Sequence, residues 1–347
     1  MERVYLDHNA TTPLRQEARR AMIEAMDVLG NPSSVHSEGR AAKGLLERAR
    51  RDVAQAIGAD GADIVFTSGA TEAAALACAG RELHASDIEH DAVRAWCQND
   101  LVADSSGLVT VMPPEVSTLQ MANSETGVVQ RLPEGLVVSD MTQAFGKIPL
   151  DFNASNVRMG LISAHKLGGP KGVGALVVRR GQDIPAQIRG GGQEMGRRSG
   201  TENIIGIAGF AAVAKAAAQD VTAGRWDEIE ELRKILENTL AADAKTTIFV
   251  GKDTDRLPNT ACLITPGWKG EAQVIQMDLA GFAISAGSAC SSGKVKASTV
   301  LQTMGFDEVT ASCAIRVSLG LDTTKSEVLR FAQSWLEKEQ KFRARAA

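Results

Sequence analysis

Leu161-Ile162-Ser163-Ala164-His165-Lys166-Leu167-Gly168-Gly169-Pro170-Lys171-Gly172 is the stretch on which the reading of this chain turns. A short apolar run ends in polar residues, a lysine follows, and a glycine-rich bend comes next. Short branched runs read as buried strands of an α/β sheet. Ligands in such sheets sit beyond the carboxyl ends of the strands. A lysine there is either a solvated loop residue or a partly desolvated amine with a depressed pKa, suited to Schiff-base formation.

The same pattern recurs outward from this stretch, at Ile64-Val65-Phe66, Leu136-Val137-Val138 and Ala175-Leu176-Val177-Val178. Ile64-Val65-Phe66 runs through Thr67-Ser68-Gly69-Ala70-Thr71 into an alanine-rich helix. Strand, glycine turn and helix N-terminus make either an ordinary turn or a phosphate site. Asp140 follows Leu136-Val137-Val138 as Lys166 follows its own run. A carboxylate there caps a helix, or it pairs with a pyridinium nitrogen and keeps that ring protonated. Pyridoxal 5'-phosphate needs both a lysine and such an acid, and the pair is more specific than either residue alone.

Helices are expected at Thr12-Pro13, where a hydroxyl cap precedes proline. They are also expected between Ser37 and Gly58, after Thr201, and from Ala223 to Ala241 with Ile229, Leu232, Leu236 and Leu240 on one side. The domain change is placed at that last helix. Residues 13–222 are read as a large domain and 223–347 as a smaller α+β domain, joined by the N-terminal segment 1–12.

The 347 residues suit one large and one smaller domain. Apolar residues at 44% and charged ones at 23% are ordinary for a soluble globular protein. A net charge of −4 argues against nucleic-acid binding. No apolar run is read as long enough to span a membrane, and Met1–Asp7 lacks a signal-peptide core, so the expected compartment is the cytoplasm. The cysteines form no C-x-x-C pair, so neither a zinc site nor a thioredoxin motif is indicated. Cys78, Cys97, Cys262 and Cys313 lie among apolar neighbours and read as packing residues. Cys290 lies in Ser285-Ala286-Gly287-Ser288-Ala289-Cys290-Ser291-Ser292-Gly293-Lys294. Those small, polar neighbours predict an exposed, flexible loop, and Lys294 and Lys296 favour a thiolate there.

Motifs in one order along the whole chain carry a resemblance. They are YLDHNATTP (5–13), GNPSS (30–34), TSGATE (67–72), EHDAV (89–93), SETGVVQ (124–130) and SDMTQAFGK (139–147). SAHKLGGPKGVGAL (163–176), GGGQEMGRRSGTEN (190–203), SAGSACSSGKV (285–295) and IRVSLG (315–320) follow. The chain resembles the class V aminotransferase superfamily and, within it, the cysteine desulfurases of NifS/IscS type. The resemblance implies an α/β, fold type I transferase with a mixed, mostly parallel sheet in its large domain, binding pyridoxal 5'-phosphate.

It also implies roles. Lys166 carries the cofactor, Asp140 pairs with its ring nitrogen, Gln143 bonds the ring hydroxyl and Asn123 lies near that oxygen. His90 stacks on the ring and assists proton transfer. Ala70, Thr71, Ser163 and His165 bind the phosphate, with Thr201 reaching it from a neighbouring subunit, so that a homodimer shares its active sites. Arg316, with Asn9 and Asn31, binds the substrate L-cysteine. Cys290 takes the sulfur as a persulfide and passes it to an acceptor protein. The sequence departs from the family at Ser124, Met141 and Ala73-Ala74-Ala75, and is shorter between His90 and Asn123 and between Gln130 and Asp140. Two other readings are an aminotransferase or selenocysteine/cysteine lyase of the same fold, which would not need Cys290, and a non-catalytic sulfur-transfer scaffold.

Overall fold

Runs in which every residue is buried build the centre of the protein, because a strand covered on both faces has no side that must be polar. The structure, a computed structural model, describes residues 3–287 and 297–346. Cys290, Lys294 and Lys296 lie outside the described residues.

The chain opens with β1 (Val4–Tyr5), α1 (Gln16–Met26), α2 (Ser37–Ala56), β2 (Asp63–Thr67) and α3 (Ala70–Cys78). Then come β3 (His84–Ser86), α4 (Asp91–Arg94), β4 (Gln98–Leu101), β5 (Val138–Asp140), β6 (Met159–Ser163) and β7 (Gly174–Val178). Helices α5 (Ile204–Thr222) and α6 (Arg225–Asp243) lead into β8 (Ile248–Phe249), β9 (Thr260–Ile264) and α7 (Gly270–Leu279). The last elements are β10 (Phe282–Ala283), β11 (Ser285–Ala286), α8 (Thr299–Thr303), α9 (Glu308–Ala311), β12 (Ala314–Ser318) and α10 (Lys325–Ala346).

The central sheet has the order β2-β7-β6-β5, with β7 antiparallel to both neighbours and β5 parallel to β6. Parallel bridges at Thr118–Val138 and His84–Ser117 continue it to β3, which pairs in parallel with β4. The mixed, mostly parallel expectation therefore describes it. Alternate residues serve its two faces. Ile64, Phe66, Ile162, Ala175 and Val177 pack with the inner residues of α2 and α5, while Val65, Leu161, Leu176 and Val178 pack with α3.

A second core joins Val4 and Leu6 to Ile229, Leu236, Leu263, Phe331 and Trp335. Its sheet is antiparallel, in the order β11-β12-β9-β8. The N-terminal segment is stitched to this half, β1 pairing with β10, before it crosses to the large sheet.

Two expectations change. Helix α1 starts at Gln16, not at Thr12-Pro13, because the Thr12 hydroxyl is engaged with the carbonyls of His8 and Lys166. Among the described residues one helix, α5, is long and apolar enough to cross a membrane by length and composition. It is a core helix here, with Ile207, Phe210, Val213 and Ala217 buried against the sheet. No polar face is needed on a helix surrounded by protein.

Candidate active site

A cavity of about 620 Å³ opens where β5 and β6 end and α3 begins. Asn9, Ala70, Thr71, His90, Asp140, Gln143, Ser163, His165, Lys166 and Arg316 all line it. Strand β6 ends at Ser163, and one 3-10 turn, Ala164–Lys166, carries His165 and Lys166 to the rim. The Lys166 amine donates to the carbonyls of Asn9 at 2.7 Å and Ala10 at 2.8 Å. The chain can turn away directly afterwards because residue 168 is glycine. Its φ is +85°, and a Cβ there would fall 2.6 Å from Arg15 Cγ. His165 Nδ1 lies 3.2 Å from the Thr11 hydroxyl. Burial, then the charges of Lys166 and Lys171, push its pKa down to about 4.

Ala70 and Thr71 form the first turn of α3, whose positive end faces the cavity. Gly174 of β7 makes room for this turn, since a Cβ on it would sit 2.7 Å from Gly69 Cα. The turn is braced from outside. Glu72 accepts the Ser68 N–H and pairs with Arg198 at 2.8 Å, which holds its carboxyl below the usual range despite burial.

Asp140 accepts the Thr142 N–H at 2.9 Å. Glu89, buried close by, has a pKa raised well above the ordinary value, first by burial and then by the Asp140 charge. One of its oxygens accepts the Gln120 N–H, and the other finds no hydrogen-bond partner among the described residues. Burial and the neighbouring negative charge both favour the protonated form of Glu89. His90 caps α4, its Nδ1 accepting from the Ala92 N–H at 3.1 Å. A neutral His90 therefore carries its proton on Nε2.

Arg316 reaches the cavity from the middle of β12 and is 2% exposed. Nη2 bonds Asp7 at 2.8 Å and Nη1 bonds the Ser124 carbonyl at 3.0 Å, while buried Nε has no partner among the described residues. Glu125, next to Ser124, is half-buried and accepts from the Ser298 hydroxyl. Burial raises its pKa to about 7, against the opposing pull of Ser298 and Arg316.

Not every residue singled out in the sequence lines this chain's own cavity. Asn31 is an exposed turn residue, its side chain accepting the Ser33 N–H at 2.9 Å, and it does not reach the cavity. Asn123 lies behind the wall. Its oxygen accepts the N–H groups of Glu125 and Thr126, and its nitrogen donates to Ile88, so the amide is spent on the turn. Thr201 is exposed and away from this chain's own cavity. Cys97 is half-buried and packs against the core around α3, and a hydrogen bond from Cys78 lowers its pKa. Glu89, Glu125 and Lys147 were missed as site residues. Each sits inside a quoted motif, Glu89 beside His90, Glu125 two positions from Asn123 and Lys147 four from Gln143.

The class-V aminotransferase profile matches residues 4–99 and 113–331. The chain belongs to this family. A cysteine desulfurase of Cereibacter sphaeroides is 39% identical to this class-V aminotransferase, over 96% of this chain and 95% of the relative. The cysteine desulfurase IscS of Dictyoglomus turgidum is 34% identical over 94% and 91%. Among solved structures, the NifS-like protein of Rickettsia africae superposes with a TM-score of 0.89 at 31% identity, covering 98% of this chain and 100% of that one. These class-V aminotransferases match across both halves, so the likeness includes both walls of the cavity.

Proposed function

We propose that this class-V aminotransferase takes the sulfur of L-cysteine, leaving L-alanine and a persulfide on Cys290. It is a cysteine desulfurase, the activity named for relatives that match it nearly end to end. One observation carries the reading of the site. A lysine at a strand end, a carboxylate at the next strand end and an arginine with an unsatisfied buried Nε converge on a single cavity.

Pyridoxal phosphate fits these residues. At the first turn of α3 the cavity is open beside Gly69, where a Cβ would meet nothing within 4 Å. A phosphate there would meet Ala70, Thr71, Ser163 and His165, with Thr201 of the partner subunit completing the site in a homodimer. Lys166 would hold the cofactor covalently, Asp140 would pair with its ring nitrogen, and Gln143 would donate to its ring hydroxyl. When bound, the cofactor supplies an electron sink for bonds at the substrate α-carbon.

The chain's own residues do the rest. The carbonyls of Asn9 and Ala10 aim the Lys166 amine, which moves the α-proton. The Arg316 fork holds the substrate carboxylate, with Asp7 keeping the guanidinium in place. His90 offers a proton from Nε2. The Cys290 thiolate attacks the substrate sulfur. A sulfur–sulfur bond forms, the carbon–sulfur bond breaks, and its electron pair stays on carbon, which is protonated to give alanine. An acceptor protein then takes the sulfur from the persulfide.

The test is an anaerobic single turnover with L-cysteine, measuring alanine and mapping bound sulfur by mass spectrometry. Wild type should give one alanine per sulfur on Cys290, and Cys290→Ser should give neither. Sulfur mapping chiefly to Cys97 would overturn the assignment. Full alanine production by Cys290→Ser would replace it with a lyase.

A further inference from the structure

Behind Lys166 lies a second lysine, and its surroundings are unusual for an amine. Lys147 is 3% exposed. It donates to two amide oxygens, Gln143 Oε1 at 2.7 Å and Asn9 Oδ1 at 2.9 Å. The charges that act on it, those of Lys166 and Arg316, are both positive, and with burial they push its pKa well down. A buried amine in such company is costly, so its contacts matter.

Those contacts settle orientation. An amide side chain presents either an oxygen or an NH₂, and the two ends exchange places by a simple flip. An ammonium only donates, and a neutral amine still has two N–H groups, one for each of these oxygens. Two amide oxygens are therefore drawn to Lys147, and the NH₂ ends must face elsewhere. The Gln143 NH₂ then donates to the Asn9 carbonyl at 3.0 Å and borders the cavity. The Asn9 NH₂ donates to the Ser124 carbonyl and the Thr260 hydroxyl, while Asn259 adds a second donor to Asn9 Oδ1. The Asn9 carbonyl, held by this network, is also an acceptor for the Lys166 amine.

Local structure places Lys147 for this task. Residues 141–147 turn helically, the Phe145 N–H bonding the Met141 carbonyl at 2.8 Å, so Gln143 and Lys147 are i,i+4 neighbours. Gly146 (φ +72°) lets the turn end against Leu167 and Ala217, where a Cβ would come within 2.7 Å of both. The Trp226 indole N–H fixes the Gly146 carbonyl.

We propose that Lys147 is a positioning residue of the Lys166 site: it forces the Gln143 amide to present N–H to the cavity and, through Asn9, locates the Lys166 amine. The proposal rests on the reading of Lys166 and Gln143 given above.

The test uses the protein reconstituted with pyridoxal phosphate, as wild type, Lys147→Met, Gln143→Leu and the double variant. Each is titrated for the pH midpoint of the bound cofactor's visible absorption and for cofactor retention. Borohydride reduction with peptide mapping is run in parallel. In Lys147→Met the midpoint should rise by about half a pH unit or more, because a donor and any positive charge that disfavour the protonated form are lost. Retention should weaken about tenfold. Because Lys147 acts in part through Gln143, the double variant should lose less than the sum of the two single variants. Lys147→Gln keeps one donor and should fall between wild type and Lys147→Met. An unmoved midpoint in either folded Lys147 variant, or strictly additive losses in the double variant, overturns the proposal. Failure of borohydride to fix the cofactor on Lys166 in wild type would instead overturn the underlying reading.

Discussion

The two walls of the cavity hold buried polar groups in opposite ways. The wall that carries Lys147 and Lys166 sets amines on neutral oxygens. Among the described residues Lys147 donates to two amide oxygens, Lys166 donates to two backbone carbonyls, and His165 is driven neutral at physiological pH. The opposite wall sets charge against charge. Arg316 of β12 is paired with Asp7, and Glu125 feels the Arg316 field. The difference follows from the groups. An amine changes protonation readily when desolvated, whereas a guanidinium stays charged and needs a counter-ion. The first wall therefore suits proton movement, and the second suits holding an anion.

The largest expected effect is on the first wall. Lys166→Ala should abolish turnover and the visible absorption of covalently held cofactor, leaving only loosely bound cofactor after gel filtration. Mapping of the borohydride label to Lys171 in wild type would move the reactive amine and break the comparison. On the second wall, Arg316→Lys keeps the charge but loses the fork. The KM for cysteine should rise roughly 10- to 100-fold, with cofactor absorption unchanged. An unchanged KM with reduced kcat would mean that Arg316 does not hold the substrate.

The smallest effect is one of stability. Glu125 keeps its proton in the folded protein up to about pH 7, while the unfolded chain releases it near 4.5. Its contribution is therefore fully present below pH 4.5 and is lost as pH rises through 7. The groups facing it are Ser298, Arg316, Asp91 and His90. Relative to Glu125→Gln, wild type should lose up to roughly 3 kcal/mol of unfolding free energy between those pH values and stay level above them. Denaturant titrations at pH 5 and 8 measure this. A constant difference between the two proteins would remove Glu125 from the charged wall.

Much of this was open to reading in the chain itself, for local reasons. Branched apolar runs predicted β2, β6 and β7, and the polar residues that follow such runs predicted Asp140 and Lys166, because a strand ending at a sheet's carboxyl edge carries its next side chains to the ligand site. The cysteine of the small-residue segment stood apart by its neighbours alone. Adjacency misled where side-chain direction decides. Asn31 and Asn123 lie in the right motifs, yet both are spent on their own turns.

What the sequence alone determined is therefore the family, the apolar runs that make the sheet, and the lysine and carboxylate at strand ends that line one cavity. The tertiary structure alone decided the surroundings of those groups. Lys147 looked like any surface lysine until Asn9, 138 residues away, met it. Asn9 became a hub only when Asn259 arrived from 250 residues on, and Arg316 found Asp7 across 309. No local pattern encodes such meetings. They follow from the N-terminal segment pairing with β10 in one half before crossing to the other, which brings groups distant in the chain within hydrogen-bond reach and out of water together.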